Sequence, residues 1–301
     1  MRRVSCLIVG LILAVALTGC CSVASSSDKP VRAKTFTLWQ LPNQTPTQIM
    51  SYVLQTRGGK IIVIDGGVAG DTPYLREFLK ARGNKVDTWF LTHPHDDHMT
   101  ALREIARIPE GLTIGSLYAS MPDADWVSQT CNDSEKQQYA EFIAAMRDAK
   151  RDLLELELGQ TLRIDGLKIE VLGVKNPEYK SNPLNNSSVV LRVSDSRKSV
   201  LFLGDLGVQG GNKLLASPYV KRLHCDYVQM AHHGQNGVSQ EFYRAVNPTY
   251  CLWPTPKWLW DNDSGGGKGS GKWKTLEVRE WMNEFPIKKH YVMCEGLQTV
   301  E

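Results

Sequence analysis

No two of the seven cysteines stand as C-x-x-C, so the chain carries no thiolate-held zinc site of the ribbon type. No charge of one sign dominates. The formal net charge of +3 falls to +1 once residues 1–19, with two arginines and no acid, are set aside. A near-neutral body does not forbid nucleic acid as a partner but gives no global reason to expect it. No internal repeat is present, and no apolar run is long enough for a comfortable bilayer span. Residues 7–17 are apolar and follow Arg2 and Arg3, but they are short, which is the pattern of a secretory signal. Without that signal about 280 residues remain, enough for one large two-layered domain. At 42% hydrophobic residues, core material is ample.

Residues 17–20 read Leu-Thr-Gly-Cys, which resembles the lipobox of bacterial lipoproteins. The resemblance implies that residues 1–19 are removed and that Cys20 becomes an acylated first residue. The protein is then exported and held at the cell envelope, with the membrane as partner through its lipid anchor. An ordinary signal cut nearby leaves it secreted or periplasmic instead, and an uncleaved one makes a simple anchor. Residues 20–34, rich in Ser and small side chains, read as a flexible tether, and residues 35–301 as one continuous domain. Of the later cysteines, Cys251 and Cys294 sit in apolar strand-like runs and read as buried small side chains.

The densest chemistry lies in Thr92-His93-Pro94-His95-Asp96-Asp97-His98, three imidazoles and two carboxylates in one turn. Residues 86–91 read as a buried strand, which puts His93 and His95 on its extended exit. Residues two apart in an extended segment face the same way, and Pro94 disfavours helix at His93. Helical spacing begins at Met99, so Asp97 and His98 come off a first helical turn and serve a second ion beside the first. Imidazole with carboxylate suits Zn²⁺, with Fe or Mn as lesser candidates.

Strand-like patterns cover residues 35–41, 48–55 and 60–64, and a helix is expected over 73–82 with Gly83-Asn84 as its stop. A helix to about Arg107, a strand over 113–118 and a charged helix over 135–154 follow. Further strands are expected at 161–164, 168–174, 188–193, 199–203, 226–231, 249–253 and 290–294, with helices over 239–246 and 275–285. Two strand-rich halves, each followed by helices, suggest sheets packed face to face with helices outside. Two of the later strands deliver ligand-type side chains at their ends: Gly204-Asp205 and His232-His233-Gly234.

With these residues in place the sequence resembles the metallo-β-lactamase superfamily over about residues 35–295. Asp65 matches a strand-end Asp that orients the site from behind its ligands. His93, His95, Asp97 and His98 match the H-x-H-x-D-H signature, Asp205 the carboxylate bridging two metals, and His-His-Gly the last metal imidazole. The resemblance implies an α/β fold, an αββα sandwich, with a two-metal site at the sheet ends. On this basis His93, His95 and Asp205 hold metal one, and Asp97, His98, His232 and Asp205 hold metal two. His232 is preferred to His233 because it is first off the strand, which leaves His233 to contact substrate or donate a proton. Catalysis is expected from Asp97, Asp205 and His233, with two ions ~3.5–4 Å apart lowering the pKa of a water to about 7.

One departure carries information. Many members place a further His between the signature and the bridging Asp, whereas residues 99–204 contain none. Asn185-Asn186-Ser187-Ser188-Val189-Val190-Leu191 stands there instead. That pattern is similar to the branch containing the hydrolase domain of bacterial DNA-uptake channels and the phosphorylcholine esterases. It argues against a lactamase and weakens metal one. Asn186 is expected to bind a substrate oxygen.

Specificity is expected in residues 253–274, where Trp258, Trp260, Lys268 and Lys272 surround a Gly-rich loop and serve as substrate-binding groups. Gly266 to Lys272 imitates a P-loop, but Trp273 stands where Ser or Thr should meet Mg²⁺. The expected activity is hydrolysis of a phosphodiester, on a small molecule or a phosphorylated surface polymer. Alternatives are hydrolysis of a carboxylic ester, lactone or amide, and a metal-bound binding or DNA-uptake component with little turnover.

Overall fold

Runs such as Ile61-Ile62-Val63-Ile64 are apolar at every position, which suits strands covered on both faces. The computed structural model, which describes residues 36–301, shows how those faces are covered. The expected signal, Cys20 and tether lie outside the described residues. The first half supplies strands β1 (Thr37–Gln40), β2 (Ser51–Gln55), β3 (Ile61–Asp65), β4 (Lys85–Phe90), β5 (Thr113–Ala119) and β6 (Leu154–Glu155). The second supplies β7 (Thr161–Ile164), β8 (Leu167–Gly173), β9 (Val190–Ser194), β10 (Ser199–Phe202), β11 (Tyr227–Gln229), β12 (Tyr250–Trp253) and β13 (Lys289–Val292). A last strand, β14 (Gln298–Val300), returns to the first sheet. The orders are β14-β1-β2-β3-β4-β5-β6 and β13-β12-β11-β10-β9-β8-β7.

Alternation sorts the side chains into three cores. Ile62 and Ile64 of β3 meet Val200 and Phe202 of β10 between the sheets. Ile61 and Val63 face the other way, onto Leu75 and Leu79 of helix α1 (Thr72–Lys80) and Met99 and Leu102 of α2 (Asp96–Arg107). Behind the second sheet Leu201 and Leu203 meet Leu214, Phe242 and Val278. The result is the expected αββα sandwich.

The remaining helices are α3 (Ala124–Thr130), α4 (Asp133–Asp148), α5 (Pro183–Asn186), α6 (Val208–Leu215), the turn α7 (Ala231–Gly234), α8 (Gln240–Val246), α9 (Lys257–Trp260) and α10 (Thr275–Met282). Helix α4 ends earlier than the pattern over 135–154 suggests. Lys150 takes a left-handed φ of 52°, which breaks the helix, and Leu154 belongs to β6. Helix α6 was hidden by Gly210 and Gly211. A Cβ on Gly210 would come within 3.0 Å of the Asn186 carbonyl, so the pair trades helix propensity for close packing.

Strands β3, β4 and β5 run parallel, as do β10, β11, β12 and β13. Open parallel sheets bind ligands outside the carboxyl ends of their strands. The chain leaves those ends at Asp65, Leu91, Leu203 and Met230, and the site is built there. A hydrogen bond from Val189 N to the Thr92 carbonyl, 2.8 Å, ties the two sides together at that end.

Candidate metal centre

Asp65 closes β3 with a left-handed φ of 57°, a conformation that costs a non-glycine residue on the order of 1–3 kcal/mol. That turn aims its carboxylate at the next strand exit. Thr92 donates from N to Oδ1 and from its hydroxyl to Oδ2, both at 2.7 Å, and His98 Nδ1 lies 2.8 Å from Oδ2. His98 is therefore held with Nε2 forward. His93 and His95 follow on the extended exit, and Nε2 of the first lies 2.9 Å from Nδ1 of the second. Asp97 and His98 come from the first turn of α2. Gln48 Nε2 donates to Asp97 Oδ2 at 2.9 Å, and Gln235 Nε2 donates in turn to Gln48 Oε1.

From the second sheet, Asp205 arrives on Gly204, whose φ of 55° turns the chain sharply after β10. A side chain there would press on Ser188 Oγ at 2.9 Å and Thr92 Cβ at 3.0 Å, so only glycine lets the two sheet ends approach this closely. The same Ser188 hydroxyl accepts from Asp205 N at 3.0 Å. Both His232 and His233 adopt left-handed backbone, φ 51° and 54°.

These turns bring six side chains into two sets that share Asp205. One is His93, His95 and Asp205; the other is Asp97, His98, Asp205 and His233, with the ligand atoms of each within 4.8 Å of one another. The fit to a cation can be tested on the polar atoms themselves. His98 Nε2, Asp205 Oδ1 and His233 Nε2 are buried and make no aligned hydrogen bond, although buried polar groups are normally paired; their neighbours are only the imidazoles and carboxylates of the same set, at 3.0–3.4 Å. Three such atoms in one place, two from imidazole and one from carboxylate, suit a Zn-class ion. The residues fit a dinuclear centre.

Electrostatics agree with that reading. Burial would raise the carboxyls of Asp97 and Asp205, yet neighbouring imidazoles hold both well below the usual range, His98 foremost for Asp97 and His233 for Asp205. Burial would lower the imidazoles, yet Asp205 leads in raising His98 and in pushing His233 up to about 10. His93, buried and flanked by His98 and His95, goes the other way and is lowered. The pocket is built for positive charge.

Several expectations need correcting. His233, not His232, enters the buried set: its Nδ1 lies 2.9 Å from the Pro254 carbonyl and its Nε2 3.0 Å from Asp97 Oδ2. Being first off the strand does not decide, because two successive left-handed residues break the strand's alternation. His232 stands at the mouth, 18% exposed, with Nε2 3.8 Å from Asp205 Oδ2. Asn186 faces away from the site, donating to Ser181 O and Gln209 Oε1 and accepting from Gly210 N. Its neighbour Asn185 lines the cleft, with Nδ2 3.4 Å from His232 Nε2 and Oδ1 unpaired.

Of the four loop residues only Trp258 reaches the cleft. Trp260 packs edge-on against Trp253, beneath the Arg279 guanidinium, and lines a separate hollow with Lys268. Lys272 is exposed and lines neither. In a helical turn such as α9, residues two apart do not share a face, so Trp258 and Trp260 part company. Sequence reasoning missed Gln48, Asn185 and Glu135. Asn185 was the legible one, since it stands in the segment that replaces the missing His.

The family model for the metallo-beta-lactamase superfamily matches residues 44–246. No curated protein matches the chain. Among solved structures, the metallo-beta-lactamase fold protein YhfI from Bacillus subtilis is similar with TM-score 0.54 and 13% identity, over 89% of this chain and 100% of that one. Unliganded yeast PDE1 gives TM-score 0.55 and 13% identity over 88% and 99%. CmlA, a diiron β-hydroxylase from Streptomyces venezuelae, gives 0.51 and 13% over 89% of this chain and 54% of that one. At such identity these likenesses speak for the fold alone. The family match spans more than half of the chain and contains every ligand named above: this protein belongs to the metallo-beta-lactamase superfamily.

Proposed function

We propose that this chain is an exported, lipid-anchored hydrolase that uses two Zn-class ions to cleave a phosphodiester, on a small molecule or a phosphorylated surface polymer. The single observation that carries the hydrolase reading is the trio of buried ligand atoms without an aligned hydrogen bond, His98 Nε2, Asp205 Oδ1 and His233 Nε2. Asp205, with Asp97, borders a cleft of about 490 Å³ that His95, His232 and Trp258 also line. Two bound ions would supply Lewis acidity and an acidified water, and would stabilise both the attacking and the leaving oxygen.

The chain's own groups do the rest. Asp205 spans both sets and fixes their separation. His232, at the mouth beside Asn185, takes the role first given to His233, contacting substrate or passing a proton to the leaving oxygen. Asn185 Nδ2 is placed to donate to a substrate oxygen. Trp258 forms one wall, its indole held by donation to the Pro46 carbonyl at 2.7 Å. No Lys or Arg lines the cleft. A diester carries one negative charge, which two ions balance without further cations. The Asn185–Leu191 segment and the missing His support the branch that acts on such esters, and Arg2, Arg3, residues 7–17 and Cys20 support export and acylation.

The test is a panel of chromogenic phosphodiesters and carboxylic esters given to zinc-loaded protein. Diester hydrolysis abolished by Asp205→Ala is the expected result. Ester hydrolysis alone would put the ester, lactone or amide reading in its place, and bound metal without turnover would mark a binding or uptake component. For the anchor, Cys20→Ala is expected to release the protein from membranes. Unchanged membrane retention would remove the lipid from the proposal.

A further inference from the structure

Every imidazole of the two ligand sets has an outer partner. His98 leans on Asp65, His233 on the Pro254 carbonyl, and His93 Nδ1 lies 3.2 Å from the Thr92 hydroxyl. These three partners come from the strand ends themselves. The partner of His95 does not: its Nε2 lies 3.3 Å from Oε1 of Glu135, in helix α4.

Two features make this contact more than a surface pair. First, His95 Nδ1 is the nitrogen that faces His93 Nε2, so Nδ1 is the ligand atom of the first set. An imidazole that offers Nδ1 to an ion keeps its proton on Nε2, and that N–H then donates to Glu135. Second, Glu135 is not free to wander. It is the third residue of α4 and closes a capping box: its N donates to Asn132 Oδ1 at 3.0 Å and its Oε2 accepts from Asn132 N at 2.9 Å. One oxygen is committed to the helix start and the other to His95.

The first set also needs such help more than the second. It has three ligands against four, and His95 is partly exposed. Of the remaining imidazoles, His232 stands at the mouth, 3.8 Å from Asp205 Oδ2 but outside the set, and among the described residues His224 and His290 bond elsewhere, to the Val246 carbonyl and Trp253 Nε1. We infer that Glu135 is the positioning residue of the first metal: its carboxylate fixes the His95 ring with Nδ1 forward and strengthens it as a donor, offsetting part of the missing ligand. This rests on the dinuclear reading above.

Outer partners of metal ligands typically affect affinity by about 10–100-fold. The experiment is a zinc titration against a chromogenic chelator, comparing the whole protein with Glu135→Gln and Asn132→Ala. Glu135→Gln removes the charge and one of the two acceptor oxygens at constant size. Asn132→Ala disturbs the helix start but leaves the Glu135 carboxylate. The expected result is two ions in the unaltered protein, the weaker site losing about 10–100-fold in Glu135→Gln while the tighter is retained, and Asn132→Ala close to the unaltered protein at both. Unchanged binding in Glu135→Gln, or equal loss at both sites in both variants, would overturn the inference and leave the dinuclear centre standing. An unaltered protein that takes up no ion would overturn the centre and the inference together.

Discussion

The two ligand sets differ in depth and in number. Asp97, His98, Asp205 and His233 are all buried, and three of their atoms make no aligned hydrogen bond and face only one another's set. His93, His95 and Asp205 are fewer, and His95 opens to the cleft. The difference teaches a division of labour. Four buried donors would hold an ion more tightly than three of which one opens to solvent, and on the proposed function the three-donor set is the one with a position left for substrate. On that reading the deep set would make the site permanent and the shallow one usable.

Asp205→Ala removes the only residue common to both sets, so it should break the comparison outright. Metal content should fall at both sites and hydrolysis should drop beyond the ~10–100-fold that loss of a mere outer partner costs. Retention of either ion, seen by elemental analysis, would mean that the sets do not depend on a bridge. The next largest effect separates the paired imidazoles. His233→Ala should empty the deep set, while His232→Ala should keep both ions and slow turnover by roughly 10²–10⁴-fold if its ring moves a proton. The reverse pattern would restore the order expected from the sequence.

Asp65→Asn sharpens the comparison from behind, because His98 is the one ligand its carboxylate touches directly, His93 being reached only through the Thr92 hydroxyl. Titration should show the deep ion weakened by about 10–100-fold with the shallow one little changed. Trp258→Ala should raise KM roughly tenfold to a hundredfold, the value of one aromatic platform at ~1–3 kcal/mol, and Trp260→Ala should not. Equal KM effects would return Trp260 to the substrate path.

The smallest effect lies away from both sets and serves as a control. Lys198 is buried, its ammonium over the Phe36 ring at 4.4 Å, and burial pushes it down to about 8. Between pH 8 and the unfolded value of 10.5 the unfolded chain binds more protons, so stability rises with pH across that window. Lys198→Met should flatten that slope and raise the melting temperature near pH 7 by roughly 2–4 °C, with metal content unchanged. A lower melting temperature would show that the ammonium stabilises the fold.

The ligand cluster was legible because its geometry is local: one turn after a strand, and residues at the ends of apolar runs. So were the two sheets, from strands apolar on both faces. What could not be read depended on backbone that leaves its usual region or on partners far away in sequence. His232 and His233 exchange places because both are left-handed. Asn185 and Asn186 part because α5, begun by Asn182 at φ 49°, is a turn of helix, on which adjacent residues face different ways. Strand β14 has three residues, too few for a period, and only its pairing with β1 reveals it.

That last strand has a consequence for how the chain comes to be folded. Val300 sits opposite Leu38 and Gln298 opposite Gln40, so the edge of the first sheet is finished by residues some of the farthest from it in sequence. Contacts of such separation close a long loop and form late. Until then β1 presents an open edge, the kind on which chains add to one another. For a protein threaded through a membrane amino end first, the interval in which that edge stays open lasts as long as translocation itself. On the proposed route of export, the span from β1 to β14 would make this protein depend on being kept from its own copies until β14 has crossed.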